Sequence, residues 1–180
     1  SGPAFRGVIV VDDGSGPEYA HIFAACDATV LSHARNQGKG AALKTGMTHA
    51  ASEYPGCGVV TADADGQHLP EDILRVASRL AQSSGSLVLG ARRFGEDTPM
   101  RSRIGNRMAQ LMVQALMGSK ITDTQTGLRG IPAKLLGLLT SMRRDGYEFE
   151  LEMLTAAKHL SLPVVEEPIQ AVYAPGNPTS

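Results

Sequence analysis

Tryptophan is absent from this chain, and aromatic residues make up only 4% of its 180 positions. Base-stacking platforms for single-stranded nucleic acid want more rings than that. A basic excess is missing too: 17 Lys and Arg against 18 Asp and Glu leave a formal net charge of −1. A general nucleic-acid binder carries positive charge, so no nucleic-acid partner is expected. The two cysteines, Cys26 and Cys57, fit no metal-ligand or redox spacing. They read as reduced core residues of a cytosolic protein. No apolar run approaches the roughly 18 residues of a membrane span, which leaves contact with a membrane surface open. Neither an internal repeat nor a low-complexity tract is present.

What remains is an ordinary α/β composition, 42% apolar, long enough for one domain over residues 1–180. Apolar, β-branched runs at 7–11, 28–32, 58–62 and 86–89 alternate with helical patterns at 17–25, 40–53 and 69–82. Strands alternating with helices imply a mostly parallel sheet covered on both faces. Further on, 100–117 reads as one long helix with Met108, Leu111, Met112 and Leu116 on one stripe, a core face or a soft apolar surface. A polar segment, Thr122 to Arg129, precedes helices near 132–140 and 148–159 and an extended stretch at 163–173.

The chemistry concentrates at 59–68, Val-Val-Thr-Ala-Asp63-Ala-Asp65-Gly-Gln67-His68. An apolar run ends in two carboxylates two residues apart, with an amide two further on. In an extended chain positions 63, 65 and 67 share one face. Three oxygen donors there suit a hard divalent cation, and magnesium is typically held by one or two carboxylates plus substrate phosphates. The carboxyl end of a strand is also where open α/β sheets receive ligands. His68, on the opposite face, reads as a supporting residue.

Three other segments add to this. Asp12-Asp13-Gly14-Ser15 ends the first strand with groups that can hydrogen-bond a nucleobase or ribose, or simply cap a helix. In Asn36-Gln37-Gly38-Lys39-Gly40, two glycines allow close backbone approach and Lys39 can reach a phosphate at the following helix start. The GxxxxGK[ST] spacing is absent, and a Gly-rich connection fits equally. Arg92, Arg93, Arg101, Arg103 and Arg107 cluster after the fourth strand and suggest an anionic partner. Asp123 reads as a third site carboxylate or a turn cap.

Taken in order, these segments resemble the family 2 glycosyltransferases of GT-A fold, and within them the polyprenyl-phosphate sugar synthases. The carriers are Val11 to Ser15, Gly38 to Gly40, Asp63 to His68, Gly90 to Arg92, Asp123 to Arg129 and Gly146 to Glu150. The resemblance implies a Rossmann-like, mostly parallel sheet with helices on both faces. It implies transfer of one hexose, with inversion, from a UDP- or GDP-sugar to a polyprenyl phosphate, using Mg2+ or Mn2+. Asp12 and Asp13 would contact the base, with Lys39 and Asp63 also on the sugar nucleotide. Asp63, Asp65 and Gln67 would hold the metal. Arg92, with Arg101 or Arg103 and with Arg129, would receive the lipid phosphate, and Asp65, Asp123 and Arg92 would serve catalysis. Processive polysaccharide synthases carry Gln-x-x-Arg-Trp, whereas this chain reads Glu148-Phe149-Glu150-Leu151, which argues for a single transfer.

Bacterial members with a similar Thr122 to Arg129 stretch work beside a small membrane partner. The resemblance therefore implies a cytoplasmic protein, peripheral at the inner face of the membrane, touching it through regions outside this chain and compatible with a homo-oligomer. Family members begin with a strand and loop that this chain lacks, and they continue past its last residue, so a fragment truncated at both ends is expected. Without that strand, central backbone groups would go unpaired at about 1–3 kcal/mol per buried group. Two rival functions fit some of the same features: a GT-A-like nucleotidyltransferase and a non-catalytic nucleotide-binding scaffold. A nucleotidyltransferase would carry its Gly-rich loop straight after the first strand, where this chain is acidic.

Overall fold

The computed structural model describes residues 5–83, 85–92, 121, 123, 126–142 and 149–170. Within them, the alternation of β-branched runs and helical patterns produces two sheets wrapped by helices. Strand β1 (Ile9–Asp12) pairs in parallel with β2 (Thr29–Ser32), Ile9 opposite Thr29 and Asp12 opposite Ser32. Between them the single helix expected over 17–25 is two short pieces, a tight turn Pro17–Tyr19 and α1 (Ala20–Ala24). Helix α2 (Lys39–Glu53) follows, then β3 (Val59–Thr61). Helix α3 (Pro70–Gln82) opens with Pro70, Glu71 and Asp72, suited to a fixed φ and to the positive end of the helix dipole.

The second sheet has the order β3-β5-β4-β6. Its members are β3, β4 (Leu87–Arg92), β5 (Arg129–Ile131) and β6 (Val164–Ile169). Strands β4 and β6 run parallel. Strand β5 lies antiparallel between β3 and β4, Arg129 opposite both Thr61 and Leu89. Strand β5 falls at the end of the segment expected to be an irregular polar stretch, and β4 runs on to Arg92 where it was expected to stop at 89. Pro168 sits in β6, which is an edge strand of this sheet and so tolerates a residue without an amide hydrogen. Helices α4 (Ala133–Ser141) and α5 (Phe149–His159) lie close to the expected positions. The long helix expected over 100–117 lies outside the described residues.

Side chains along β4 alternate between two apolar layers, as a pleated strand requires. Leu87 and Leu89 join Met47 of α2, Leu135 and Leu139 of α4, and Phe149 and Met153 of α5. Val88 faces the other way, toward Val76 of α3, Leu128 and Ile169. The two sheets share no backbone pairing among the described residues. Helix α2 packs against both β1 and β3, and against α4. Gly46 of α2 lies close enough to Val11 that a Cβ there would sit 3.3 Å from its methyl. The strand ends of β1, β3 and β4 thereby carry the residues of interest.

Candidate functional site

The first cluster forms around Asp63. Strand β3 stops at Thr61, whose hydroxyl donates to the Gly127 carbonyl (3.0 Å), pinning the loop before β5 to the end of β3. Gly127 lies so near Asp63 that a Cβ on it would come within 2.2 Å of the carboxylate. Any side chain there would push the Asp63 carboxylate from its present place. The Asp63 amide donates to Nδ1 of His68 (3.1 Å), the supporting role expected of that histidine. Asp65 is exposed, and its carboxylate accepts the Gln67 amide hydrogen (3.0 Å). The segment is therefore a tight bend. The shared-face argument from an extended strand fails here because β3 ends before Asp63, and the turn positions these side chains instead.

Lys39 reaches this cluster from the first turn of α2. Its ammonium lies 2.8 Å from Asp63 Oδ1 and 2.7 Å from Glu150 Oε1. Burial pushes the Lys39 pKa down, but hydrogen bonds and charges from Asp63 and Glu150 outweigh this and hold it above its ordinary value. The loop before Lys39 is set by Asp13. Its Oδ1 accepts from Gln37 N–H (2.9 Å) and lies 2.6 Å from His33 Nδ1, and its Oδ2 accepts from Gly38 N–H (2.8 Å). Gly38 has φ +98°, a conformation that side chains rarely take. Burial raises the Asp13 pKa, and these hydrogen bonds override it to leave the carboxyl below its usual value. Asp13, expected at a nucleobase, thus spends both oxygens on loop 33–38. Asp12 accepts the Ser15 amide hydrogen (2.8 Å) and closes the turn after β1.

A second cluster sits at the end of β4. Arg92 Nε donates to Asp123 Oδ2 (2.7 Å), and a second guanidinium nitrogen lies 3.3 Å from Oδ1, a two-pronged pair. Asp123 is fully buried, and its own amide donates to Glu166 of β6 (3.3 Å). Arg129 lies between the two clusters. Its Nε donates to the Thr126 carbonyl (2.9 Å), and its guanidinium donates to the Glu150 carbonyl and lies 3.9 Å from that residue's carboxylate. At 1% exposure it faces the interior, unlike the acceptor-phosphate ligand expected at that position. Burial lowers its pKa, opposed by the charges of Glu150, Asp123 and Asp63. Arg129 is therefore an internal strut electrostatically coupled to both clusters. Arg101 and Arg103 lie outside the described residues.

The donor set fits a hard cation. Asp63 and Asp65 are carboxylates and Gln67 supplies an amide oxygen. Asp63 already holds one cation, the Lys39 ammonium. Among the described residues no three His, Cys, Asp or Glu side chains converge into a cage. An open groove of about 610 Å3 runs along α2, lined by Leu31, Gln37, Lys44, Thr45, His49 and Thr140. It includes none of Asp63, Asp65 or Arg92. From sequence alone Glu150 falls within a motif but has no assigned role, His33 reads as a surface or packing residue and Glu166 stands out in no motif; their partners are distant in the chain and leave no local signal. Among the described residues no helix is long and apolar enough to cross a membrane.

The chain is 30% identical to a UDP-N-acetylglucosamine–dolichyl-phosphate N-acetylglucosaminyltransferase of Methanococcus voltae, over 94% of this chain and 76% of that protein. It is also 30% identical to an undecaprenyl-phosphate mannosyltransferase of Micrococcus luteus, over 92% of this chain and 71% of that protein. Its fold matches glucosyl-3-phosphoglycerate synthase from Mycobacterium tuberculosis, solved with Mn2+, UDP-glucose and phosphoglyceric acid, with a TM-score of 0.71 at 23% identity. That match covers 94% of this chain and 61% of the synthase, so the chain spans under two thirds of that neighbour. The fold is accordingly that of the GT-A glycosyltransferases. Residues 6–138 match the family described as Glycosyl transferase family 2. On that match and the 30% identity to a relative over most of both chains, the chain belongs to glycosyltransferase family 2.

Proposed function

We propose that this protein transfers a single hexose, with inversion, from a UDP- or GDP-sugar to a polyprenyl phosphate. One observation carries the reading. The Asp63–Lys39 cluster and the Arg92–Asp123 cluster sit on the strand ends flanking Arg129, so two charged clusters adjoin, which supports a donor site beside an acceptor-phosphate site. Support also comes from the relatives named for lipid-phosphate acceptors and from the synthase solved with Mn2+ and UDP-glucose.

In this reading Asp63, Asp65 and Gln67 hold a divalent cation, which when bound supplies charge neutralisation on the departing diphosphate. Lys39 adds a positive charge beside the donor phosphates. Arg92 receives the acceptor phosphate, with Arg101 and Arg103 as further ligands. A phosphate monoester is already an anion near neutral pH, so it attacks the anomeric carbon without a strong base. The new carbon–oxygen bond forms on one face as the bond to diphosphate breaks on the other, and the diphosphate leaves with the electron pair. Positioning supplies much of such a rate. Asp123, buried and bound twice to Arg92, orients that guanidinium rather than accepting a proton. The acceptor's phosphate lies at a membrane surface, so the protein works peripherally there, on the cytoplasmic side.

The test is incubation with UDP- and GDP-hexoses, a short polyprenyl phosphate and manganese. Formation of the glycosyl prenyl phosphate, lost on chelation, is the expected result. Pyrophosphate release from a nucleoside triphosphate would point to a nucleotidyltransferase instead. Nucleotide binding without either reaction would point to a scaffold.

A further inference from the structure

We propose that Glu150 is a positioning residue of the donor site, retaining the Lys39 ammonium there when Asp63 is engaged by a metal-bound diphosphate. The inference rests on the donor-site reading above.

Lys39 lies between two carboxylates, 2.8 Å from Asp63 and 2.7 Å from Glu150. An ammonium has three donors, so it can serve both and still address a third acceptor such as a phosphate oxygen. The two carboxylates differ in what else they can do. Asp63 is adjacent to Asp65 at the strand-end turn and is the one suited to a cation. Glu150 is committed to the interior: it sits in the first turn of α5, where negative charge is favoured. Its backbone carbonyl accepts from the buried Arg129, and its second carboxylate oxygen lies 3.9 Å from the same guanidinium. Arg129 thus fixes one side of Glu150 while the other side faces Lys39.

Consider the cluster without a ligand. Asp63 and Glu150 balance Lys39 and Arg129. A divalent cation on Asp63 competes for the lone pairs that Lys39 now uses, and repels its charge. With Asp63 as its only partner, the lysine would swing into solvent. Glu150 supplies a second anchor that metal binding leaves in place, so the ammonium stays beside the diphosphate. The pair is largely buried, with side-chain exposures of 26% and 13%, where a charge-assisted contact is stronger than at an open surface.

The experiment is calorimetric titration of UDP and of GDP, each with and without manganese. The proteins are wild type, Lys39→Ala, Glu150→Ala, Glu150→Gln and the Lys39→Ala/Glu150→Ala double variant. Glu150→Ala is expected to weaken manganese-dependent binding about tenfold, or about 1.4 kcal/mol. Glu150→Gln, which keeps an acceptor oxygen, recovers part of this. The double variant binds no more weakly than Lys39→Ala alone, since Glu150 acts through the lysine. Unchanged affinity in Glu150→Ala, or losses that simply add in the double variant, would overturn the proposal. Thermal unfolding checks that each variant is folded. Should Glu150→Ala not fold, the Gln variant replaces it in the same cycle. A loss seen only while Lys39 is present then supports the role; no loss, or an equal loss without Lys39, overturns it. If wild type binds neither nucleotide with manganese, the donor-site reading itself fails and this inference falls with it. If wild type binds and the cycle is additive, only the role of Glu150 fails.

Discussion

Strand β4 buries Leu87, Val88 and Leu89 completely, whereas no residue of β1 or β2 is fully buried. The four-stranded sheet is sandwiched between two apolar layers, one under α2, α4 and α5 and the other under α3. The two-stranded sheet is held differently, by α2 against β1 and by the polar contacts of Asp13 to loop 33–38. Apolar burial therefore fixes the platform for Arg92, Asp123 and Arg129. Directional hydrogen bonds fix the loop that delivers Lys39. The first kind of support is strong and insensitive to pH. The second is weaker and depends on the charge state of a carboxylate.

This contrast predicts unequal responses to substitution. Leu89→Ala in β4 is expected to cost about 2–5 kcal/mol, and Leu31→Ala in half-buried β2 about 1 kcal/mol. Chemical denaturation measures both, and equal losses would erase the distinction. Next in size is Asp123→Ala, which strands Arg92 without its buried carboxylate at a cost of about 3 kcal/mol. The same assay reads it, alongside loss of turnover. Gly127→Ala forces a Cβ into the Asp63 carboxylate and is expected to cost about 1–3 kcal/mol, with weakened nucleotide binding as its second readout.

Among the site substitutions the smallest effect is Asp13→Ala, about 1–2 kcal/mol from the lost hydrogen bonds to Gln37, Gly38 and His33. Its sign with pH follows from a folded-state pKa below the ordinary value. The stabilisation is fully present above the unfolded carboxyl pKa of about 3.9 and disappears as pH falls through the lower folded value. Wild type and variant should therefore differ at pH 7 and converge in acid. A gap that persists at low pH would mean that Asp13 acts by packing rather than charge.

Much of this fold was legible in the chain because local signals agreed with tertiary demands. Helices α2 and α3 and the parallel strands came from periodicity and from Pro70-Glu71-Asp72. Strand β5 was not legible. It has three residues, one glycine and one arginine, and becomes a strand because β3 and β4 offer open edges on both sides. The Asp63–Asp65 pair was legible as chemistry, but its geometry was not, since Gly66 at φ +79° and the Asp65–Gln67 contact make a bend where an extended run was expected. Pairings such as Lys39 with Glu150 and Arg92 with Asp123 bridge residues far apart in sequence. Only the folded topology brings them together.

In the function proposed above, the strand-end carboxylates make this protein a metal-assisted sugar transferase. Transfer from UDP- or GDP-hexose to a short polyprenyl phosphate, compared between wild type and Asp65→Asn, tests it most directly. Asp65 is exposed, so the substitution should leave thermal stability unchanged. Manganese-dependent transfer is expected to fall at least about a hundredfold, roughly 2.7 kcal/mol of transition-state stabilisation. Near-normal transfer by Asp65→Asn would contradict it.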